Sequence, residues 1–304
     1  MERYNNWMTY SFDDGPIFGK KQHKDSVFKL HFNPTPVNNI SYYDALFYNG
    51  RMVADNFAGP FDVLLSGGID SEVMVRVNHD LGIKQNVFVV RLEDNLNIRD
   101  VEYARLICRD LGINLKIIDW NLKRWIENDA YTIYQQTFSP NIARMVRFAW
   151  YDLFDNTIVM GEGEPYWIRE LDNDYSKKSN WHLSWVENYF MSSIYAKQIG
   201  KVVIGEWHNY TPEVVMAYHK LPFAKKLIND EFTGKTTSWS SRVEIHQHLW
   251  PDIKPRPKLV GYEGPEGYPG YKPEFLQKFQ DEVIKDTSDA GYKFSVEDLG
   301  SLLN

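Results

Sequence analysis

Apolar runs and amphipathic stretches alternate through the middle of the chain. Residues 61–65 form an apolar run that predicts a strand, 72–81 predict a helix and 86–91 predict a second strand. The pattern repeats with a helix predicted over 101–111 and a third strand over 115–118. Alternation of this kind is typical of a parallel sheet whose strands are joined by crossover helices, so the predicted fold class is α/β with an open parallel sheet.

The pattern continues beyond the third strand and is punctuated by glycines. Gly82 and Gly112 each follow a predicted helix within a Leu-Gly-Ile sequence, where glycine can adopt the left-handed conformation that ends a helix. A helix predicted over 141–152 leads to an apolar strand over 157–160, which ends in Gly-Glu-Gly-Glu. Further helices are predicted over 185–198 and 212–218.

The two ends of the chain follow other patterns. Residues 27–32 alternate as a strand does, and 45–54 suggest a hairpin turning at Asn49 and Gly50. Beyond Pro251 the chain is rich in proline and glycine, which predicts loop and a peripheral tail. The predicted organisation is a small β-containing segment over 1–58, the sheet domain over 59–262, and a Pro/Gly-rich loop with a helical tail over 263–304.

Composition and charge narrow the class of protein. A chain of 304 residues with 43% hydrophobic residues can bury a substantial core. The net charge of −7 argues against a long nucleic acid as partner. No run approaches the roughly 20 apolar residues that cross a bilayer and the start lacks the apolar region of a signal peptide, so we expect a cytoplasmic protein without membrane association. The single cysteine, Cys108, lies in an apolar helix pattern and is predicted to be a buried structural thiol.

A glycine-rich turn follows the first strand of the predicted sheet, where phosphates usually bind in open parallel sheets. Gly67 and Gly68 allow close approach of a ligand to the backbone, and their N–H groups together with the helix dipole favour an anion. Asp70 fits such a site if it holds Mg²⁺ against the phosphates. The alternative is an ordinary tight turn in which Asp70 caps the helix. The candidate residues of this turn are Ser66, Gly67, Gly68, Ile69, Asp70 and Ser71.

This turn lacks the Gly-Lys-Ser/Thr ending of a Walker loop, so no lysine is placed to grip a transferring γ-phosphate. The sequence Ser-Gly-Gly-Ile-Asp-Ser after a strand resembles the PP-loop of the ATP pyrophosphatase superfamily. The resemblance implies that ATP binds with its β and γ phosphates as leaving group and is attacked at its α phosphate. It also implies the adenine nucleotide alpha hydrolase-like fold.

Three later segments resemble asparagine synthetases and the related β-lactam synthetases. Residues 159–164 resemble their strand and Gly-Glu-Gly turn, 211–222 resemble a late helix with a Leu-Pro ending, and 251–262 resemble the Arg-x-Lys-x-Gly loop that holds the catalytic lysine of the family. The resemblance covers residues 59–262. It implies an ATP-dependent ligase that adenylates a carboxylate, releases pyrophosphate and forms an amide.

Site residues follow from the resemblance position by position. Lys258 is expected to place a positive charge over phosphate oxygens in the transition state, with Arg256 bracing the same group. Glu162 is expected to accept a proton from the amine or to orient the substrate. Adenine is expected to contact main-chain groups near the end of the second strand. The nucleotide contacts implied by the resemblance include Gly161, Val90, Arg91 and Leu92.

The chain departs from the family pattern in two places. The family turn continues to an Asp-Glu pair whose Asp binds a second Mg²⁺, whereas Glu164 and Pro165 stand here, so Glu164 is the candidate replacement ligand. Glutamine-dependent members begin with a nucleophilic cysteine, whereas this chain has Glu2. The expected nitrogen donor is therefore free ammonia or an organic amine.

Two other functions remain open. One is a PP-loop enzyme that modifies a tRNA or a nucleobase, against which the acidic charge and the lack of a thiol pair argue. The other is a nucleotide-binding protein that has lost turnover, which Pro165 in place of an acid suggests.

Overall fold

A parallel sheet of five strands forms the centre of the fold. The computed structural model describes residues 2–3, 7–12, 27–33, 36–137, 142–161, 167–169, 181–183, 192, 195–222, 243, 245–256, 273–279, 281 and 293–296. Its strands are β1 (Glu2–Arg3), β2 (Met8–Phe12), β3 (Val27–Phe32), β4 (Phe61–Leu64), β5 (Gln85–Leu92), β6 (Leu115–Trp120), β7 (Ile158–Met160), β8 (Trp167–Arg169), β9 (Trp181–Leu183), β10 (Val203–Ile204) and β11 (Lys293–Val296). Its helices are α1 (Tyr42–Asn56), α2 (Ile69–Asp80), α3 (Ile98–Asp110), α4 (Leu122–Asn128), α5 (Ala130–Thr137), α6 (Ile142–Trp150), α7 (Pro212–Lys220) and α8 (Glu274–Phe279).

The strand order of the central sheet is β10-β7-β4-β5-β6, and all neighbouring strands in it are parallel. Successive residues of β5 face opposite hydrophobic clusters: Val87 and Val89 pack with residues of α1, α2 and α3, while Phe88 and Val90 pack with residues of α4 and α6. Helices therefore cover both faces of the sheet. The predicted α/β fold class with an open parallel sheet is confirmed.

The predicted elements of the sheet are confirmed with small shifts at their ends. The starts of α2 and α3 shift most, each by three residues, from 72 to 69 and from 101 to 98. Because Gly68 is the N-cap of α2, the last three residues of the glycine-rich turn are helical. Gly82 and Gly112 both have φ of +67°, the left-handed conformation predicted for them. None of the helices in the described part of the chain is long and apolar enough to cross a membrane.

The predicted hairpin at residues 45–54 is wrong, because the structure has the single helix α1 there. Its N-cap, Ser41, accepts a hydrogen bond from the backbone N–H of Asp44. Asn49 is fully buried and donates to the Trp207 carbonyl at 2.7 Å. A Cβ on Gly50 would lie 2.8 Å from Val77 Cγ1, so the glycine is needed for close packing of α1 on α2 rather than for a turn.

The two ends of the chain meet in a second sheet of order β1-β2-β3-β11. The strand predicted over 27–32 is confirmed as β3, and β11 pairs with it in parallel. The loop that begins at Pro251 packs against the core, since Ile253 is only 1% exposed and belongs to the hydrophobic cluster that includes residues of α2. The predicted domain boundaries remain a prediction.

Candidate active site

The Ser66–Ser71 loop lies at the carboxyl end of β4, where the strand order of the sheet reverses. The chain leaves β4 for β5 on one side, and β7 pairs with β4 on the other side. Crevices at such a reversal are the usual ligand sites of open α/β sheets. Because α2 begins inside the loop, the N–H groups of its first turn point out of the helix towards this crevice.

Gly67 is required by the geometry of the loop for two reasons. Its φ is +71°, which side chains other than glycine rarely adopt. A Cβ at this position would also lie 2.7 Å from Tyr103 Cβ and 2.8 Å from the Asp100 carbonyl oxygen, both on α3. The loop is therefore packed against α3, and glycine is required at position 67 by this packing as well as by the predicted approach of a ligand.

The two serine hydroxyls of the loop contact each other and the backbone. Ser71 Oγ donates to the Gly68 carbonyl at 3.0 Å. Ser66 Oγ lies 3.2 Å from Ser71 Oγ. Since the Ser71 proton is directed to Gly68, the Ser66 hydroxyl is the donor in this second contact. Ser66 is exposed while Ser71 is buried, so Ser66 is the serine of the loop that faces outwards.

Asp70 is half-buried in the first turn of α2, and a buried histidine holds its backbone. His208 Nε2 donates to the Asp70 carbonyl oxygen at 3.0 Å. His208 lies in the short 3-10 turn Trp207–Asn209, which follows β10, and it is fully buried. The sequence pattern gave no signal for His208, because it is 138 positions away from Asp70.

Gly161 follows β7 and packs directly against the loop. A Cβ on Gly161 would lie 2.5 Å from Ser71 Cα and 2.8 Å from the Asp70 carbonyl oxygen. Its backbone forms an isolated antiparallel bridge with Glu206, which is fully buried. The structure thus brings Gly161 and the loop together, while a nucleotide contact of Gly161 stays a prediction. Glu162 and Glu164, the predicted acids of this turn, lie outside the described residues.

A buried group of charged side chains lies at the first turns of α2. Glu72 accepts from Arg76 Nε at 3.0 Å, and its other carboxylate oxygen accepts from Arg256 Nη1. Arg76 also donates to both carboxylate oxygens of Asp252, at 3.1 and 2.8 Å. Burial raises the pKa of the Glu72 carboxyl, and the charges of Arg256 and Arg76 act against that shift.

Of the predicted catalytic residues Arg256 and Lys258, the structure describes Arg256. The side chain of Arg256 is 8% exposed and pairs with Glu72, the residue that follows Ser71. Bracing of a phosphate by Arg256 stays a prediction. Lys258 lies outside the described residues. The i,i+4 spacing of Glu72 and Arg76 was visible in the sequence, but their partners 252 and 256 were not.

The predicted adenine contacts lie at the end of β5, where an asparagine side chain forms hydrogen bonds with two main-chain groups. The Asn97 side chain accepts from the Leu92 N–H at 2.9 Å and donates to the Val90 carbonyl at 2.8 Å. The Arg91 side chain points instead to Asp119, whose pKa is lowered by this hydrogen bond. Adenine binding at these groups stays a prediction. An open cleft of about 340 Å³ adjoins them, lined by Arg91, Leu92, Glu93, Asp94, Asn95, Asp119, Trp120 and Asn121.

The fit of Mg²⁺ to the loop can be judged from the donors present. Among the described residues no group of three or more His, Cys, Asp or Glu side chains could hold a metal ion. Mg²⁺ is usually held by one or two carboxylates together with substrate phosphates, rather than by a cage of protein ligands. Asp70 lies in the first turn of α2, and one carboxylate at a helix N-terminus is compatible with that arrangement.

No protein-family model matches the chain, and no curated protein does. Among solved structures, NMN synthetase from Francisella tularensis is similar with a TM-score of 0.33 and 16% identity, over 72% of this chain and 98% of that one. NH3-dependent NAD synthetase from Campylobacter jejuni, in complex with nitrate, has a TM-score of 0.29 and 14% identity, over 82% of this chain and 94% of that one. Glutamine-dependent NAD+ synthetase from Acinetobacter baumannii, in complex with ADP, has a TM-score of 0.31 and 14% identity, over 79% of this chain and 52% of that one. Similarity at this level transfers neither a substrate nor a mechanism, and none of the three is named an asparagine synthetase.

Proposed function

We propose that this chain is an ATP-dependent ligase that adenylates a substrate carboxylate, releases pyrophosphate and forms an amide with ammonia or an amine. The observation that supports the proposal is the Ser66–Ser71 loop at the reversal of strand order. A left-handed Gly67, the N-cap Gly68 and the N-terminus of α2 together form an anion site of the kind that binds the phosphates of a nucleotide.

The N-terminus of α2 supports a phosphate-binding role for the loop. The partial positive charge of the α2 N-terminus favours the phosphates, and Asp70 would hold Mg²⁺ beside them. When bound, Mg²⁺ would neutralise phosphate charge. The His208 contact to the Asp70 carbonyl keeps this turn in place, since it fixes the backbone from the side of β10.

Lys258 remains the proposed catalytic residue, and the resemblance of residues 251–262 to the lysine-containing loop of the family supports the assignment. Arg256 is paired with Glu72, one residue beyond the loop. The ammonium of Lys258, two positions after Arg256 in the sequence, would stabilise charge that develops on the α phosphate. Glu162, which follows Gly161 in the sequence, is the proposed proton acceptor or orienting group.

Isotope transfer from the carboxylate tests the proposed reaction. The protein is incubated with ATP, Mg²⁺ and a panel of carboxylic acids whose carboxylate oxygens are labelled with ¹⁸O, with ammonia or a set of amines. Attack on the α phosphate leaves one carboxylate oxygen on AMP, so mass spectrometry should find label in AMP and none in inorganic phosphate. An acyl phosphate route would place the label in inorganic phosphate and refute adenylation.

Pyrophosphate release and ATP binding distinguish the two other functions from the proposed ligase. Pyrophosphate release that requires added tRNA or a nucleobase would favour the modifying enzyme. ATP binding by calorimetry, with no pyrophosphate released under any condition, would favour the nucleotide-binding protein without turnover. Either result would contradict the proposed ligase activity.

A further inference from the structure

Three side chains on one face of α2 each bind a side chain of the segment 250–256. Glu72, Arg76 and Asp80 are spaced four residues apart, so they lie one above the other on the helix. Asp80 accepts from Trp250 Nε1 at 2.9 Å, Arg76 binds Asp252, and Glu72 binds Arg256. We call these three contacts the α2 ladder.

The order of the contacts gives the ladder a direction. As the segment advances from Trp250 to Arg256, its partners on α2 move from Asp80 back to Glu72. The segment therefore runs antiparallel to α2, over about 12 Å of helix, towards the N-terminus where the Ser66–Ser71 loop lies.

The part of the ladder formed by Glu72 and Arg76 is buried. Glu72 is 1% exposed and Arg76 is 2% exposed, and removal of one partner from such a group leaves an uncompensated buried charge. Ile253 is 1% exposed and Trp250 is 7% exposed, so apolar burial fixes the segment between its polar contacts. Asp252 is the accessible member, because its side chain is 57% exposed.

We propose that the α2 ladder is a positioning device for the proposed ligase reaction: it holds residues 250–256 along α2, with the Arg256 guanidinium on Glu72, the residue that follows the Ser66–Ser71 loop. The inference rests on the proposed function for its catalytic consequence. Glu72, Arg76 and Asp252 are thus positioning residues, which act through the segment that they hold.

Asp252→Asn tests the ladder with little risk to folding, since the side chain is mostly exposed and its pair with Arg76 is only partly buried. The matched control is Asp110→Asn, which removes the exposed pair with Arg109 on α3. Asp252→Glu keeps the charge and is the rescue variant. Amide hydrogen exchange of residues 250–256, melting temperature, and kcat and KM for ATP in pyrophosphate release are measured for each protein.

For Asp252→Asn we expect faster exchange in residues 250–256, a slightly lower melting temperature because buried Arg76 keeps only Glu72 as a charged partner, an unchanged KM for ATP and a kcat about 10-fold to 100-fold lower, as for a misplaced catalytic group. Asp252→Glu should restore most of kcat, and Asp110→Asn should match the wild type. Faster exchange with a wild-type kcat, or exchange that does not change, would overturn the positioning role. Exchange does not depend on turnover, so a wild-type protein without pyrophosphate release would refute the proposed function and leave the holding role of the ladder to be judged by exchange alone.

Discussion

Replacement of Gly161 by alanine is expected to displace the Ser66–Ser71 loop. The new Cβ would lie 2.5 Å from Ser71 Cα, and real Cβ contacts are essentially never below 3.0 Å, so the two backbones must separate by at least 0.5 Å (3.0 − 2.5). Neither side yields easily, because β7 is paired on both edges and the loop is packed against α3. Overpacking of this kind typically costs about 1–3 kcal/mol of stability.

The displacement should act on the chemistry more than on the fold. A misplacement of 1 Å in a site can lower a rate by about 100-fold, so a shift of at least 0.5 Å in Gly161→Ala is expected to weaken ATP binding and to lower pyrophosphate release by about 10-fold or more. Calorimetry with ATP, a pyrophosphate assay and thermal unfolding measure the three quantities.

Gly200→Ala is the matched control. Gly200 has φ of +72° and nothing within 4 Å of a built Cβ, so alanine there brings backbone strain of about 1–2 kcal/mol without a clash. Both variants should melt earlier than the wild type, but only Gly161→Ala should lose ATP affinity and turnover. If Gly161→Ala bound ATP and released pyrophosphate as the wild type does, the reasoning would be refuted.

Three further predictions concern single side chains. Asp70→Asn should fold normally and lose most pyrophosphate release, because a neutral amide holds Mg²⁺ poorly; wild-type release would count against the proposed loop function. Lys258→Ala should lower kcat by about 100-fold, or roughly 3 kcal/mol, with little change of ATP affinity by calorimetry, whereas an exposed lysine outside the site would change neither much. Cys108→Ser should keep full turnover, and since burial raises the pKa of the Cys108 thiol to about 12, alkylation of the folded wild type at neutral pH should be slow by mass spectrometry. Fast alkylation, or loss of turnover at an unchanged melting temperature, would contradict a purely structural thiol.

The sequence by itself determined four of the five strands of the central sheet and the position of the loop, whereas β10 was not predicted. Apolar runs and helical periods are local signals, and so are the glycines that end helices, as Gly82 and Gly112 do. The loop could be placed because a strand, two glycines and a helix follow each other without interruption. Gly161 was assigned to the nucleotide site only through the resemblance of residues 159–164 to a family turn, and in the structure it packs against the loop.

Local signals failed where tertiary packing decided the conformation. Asn49 and Gly50 favour a hairpin turn in isolation, but in the fold Asn49 binds the backbone of Trp207 and Gly50 allows α1 to approach α2 closely. Burial of the helix face against α2 outweighs the turn preference of two residues. The amide of Asn97 at the end of β5 is a similar case, because nothing local shows that it occupies main-chain groups of Val90 and Leu92.

The surroundings of the loop were decided only by the tertiary structure. Glu72 and Arg256 are 184 positions apart, and His208 is 138 positions from Asp70, so no period or motif in the sequence connects them. The sequence determines which side chains can be charged and which segments can form strands and helices. Which charges become buried together depends on how those elements pack, because pairing of buried charges is favourable only after the fold has removed water from around them.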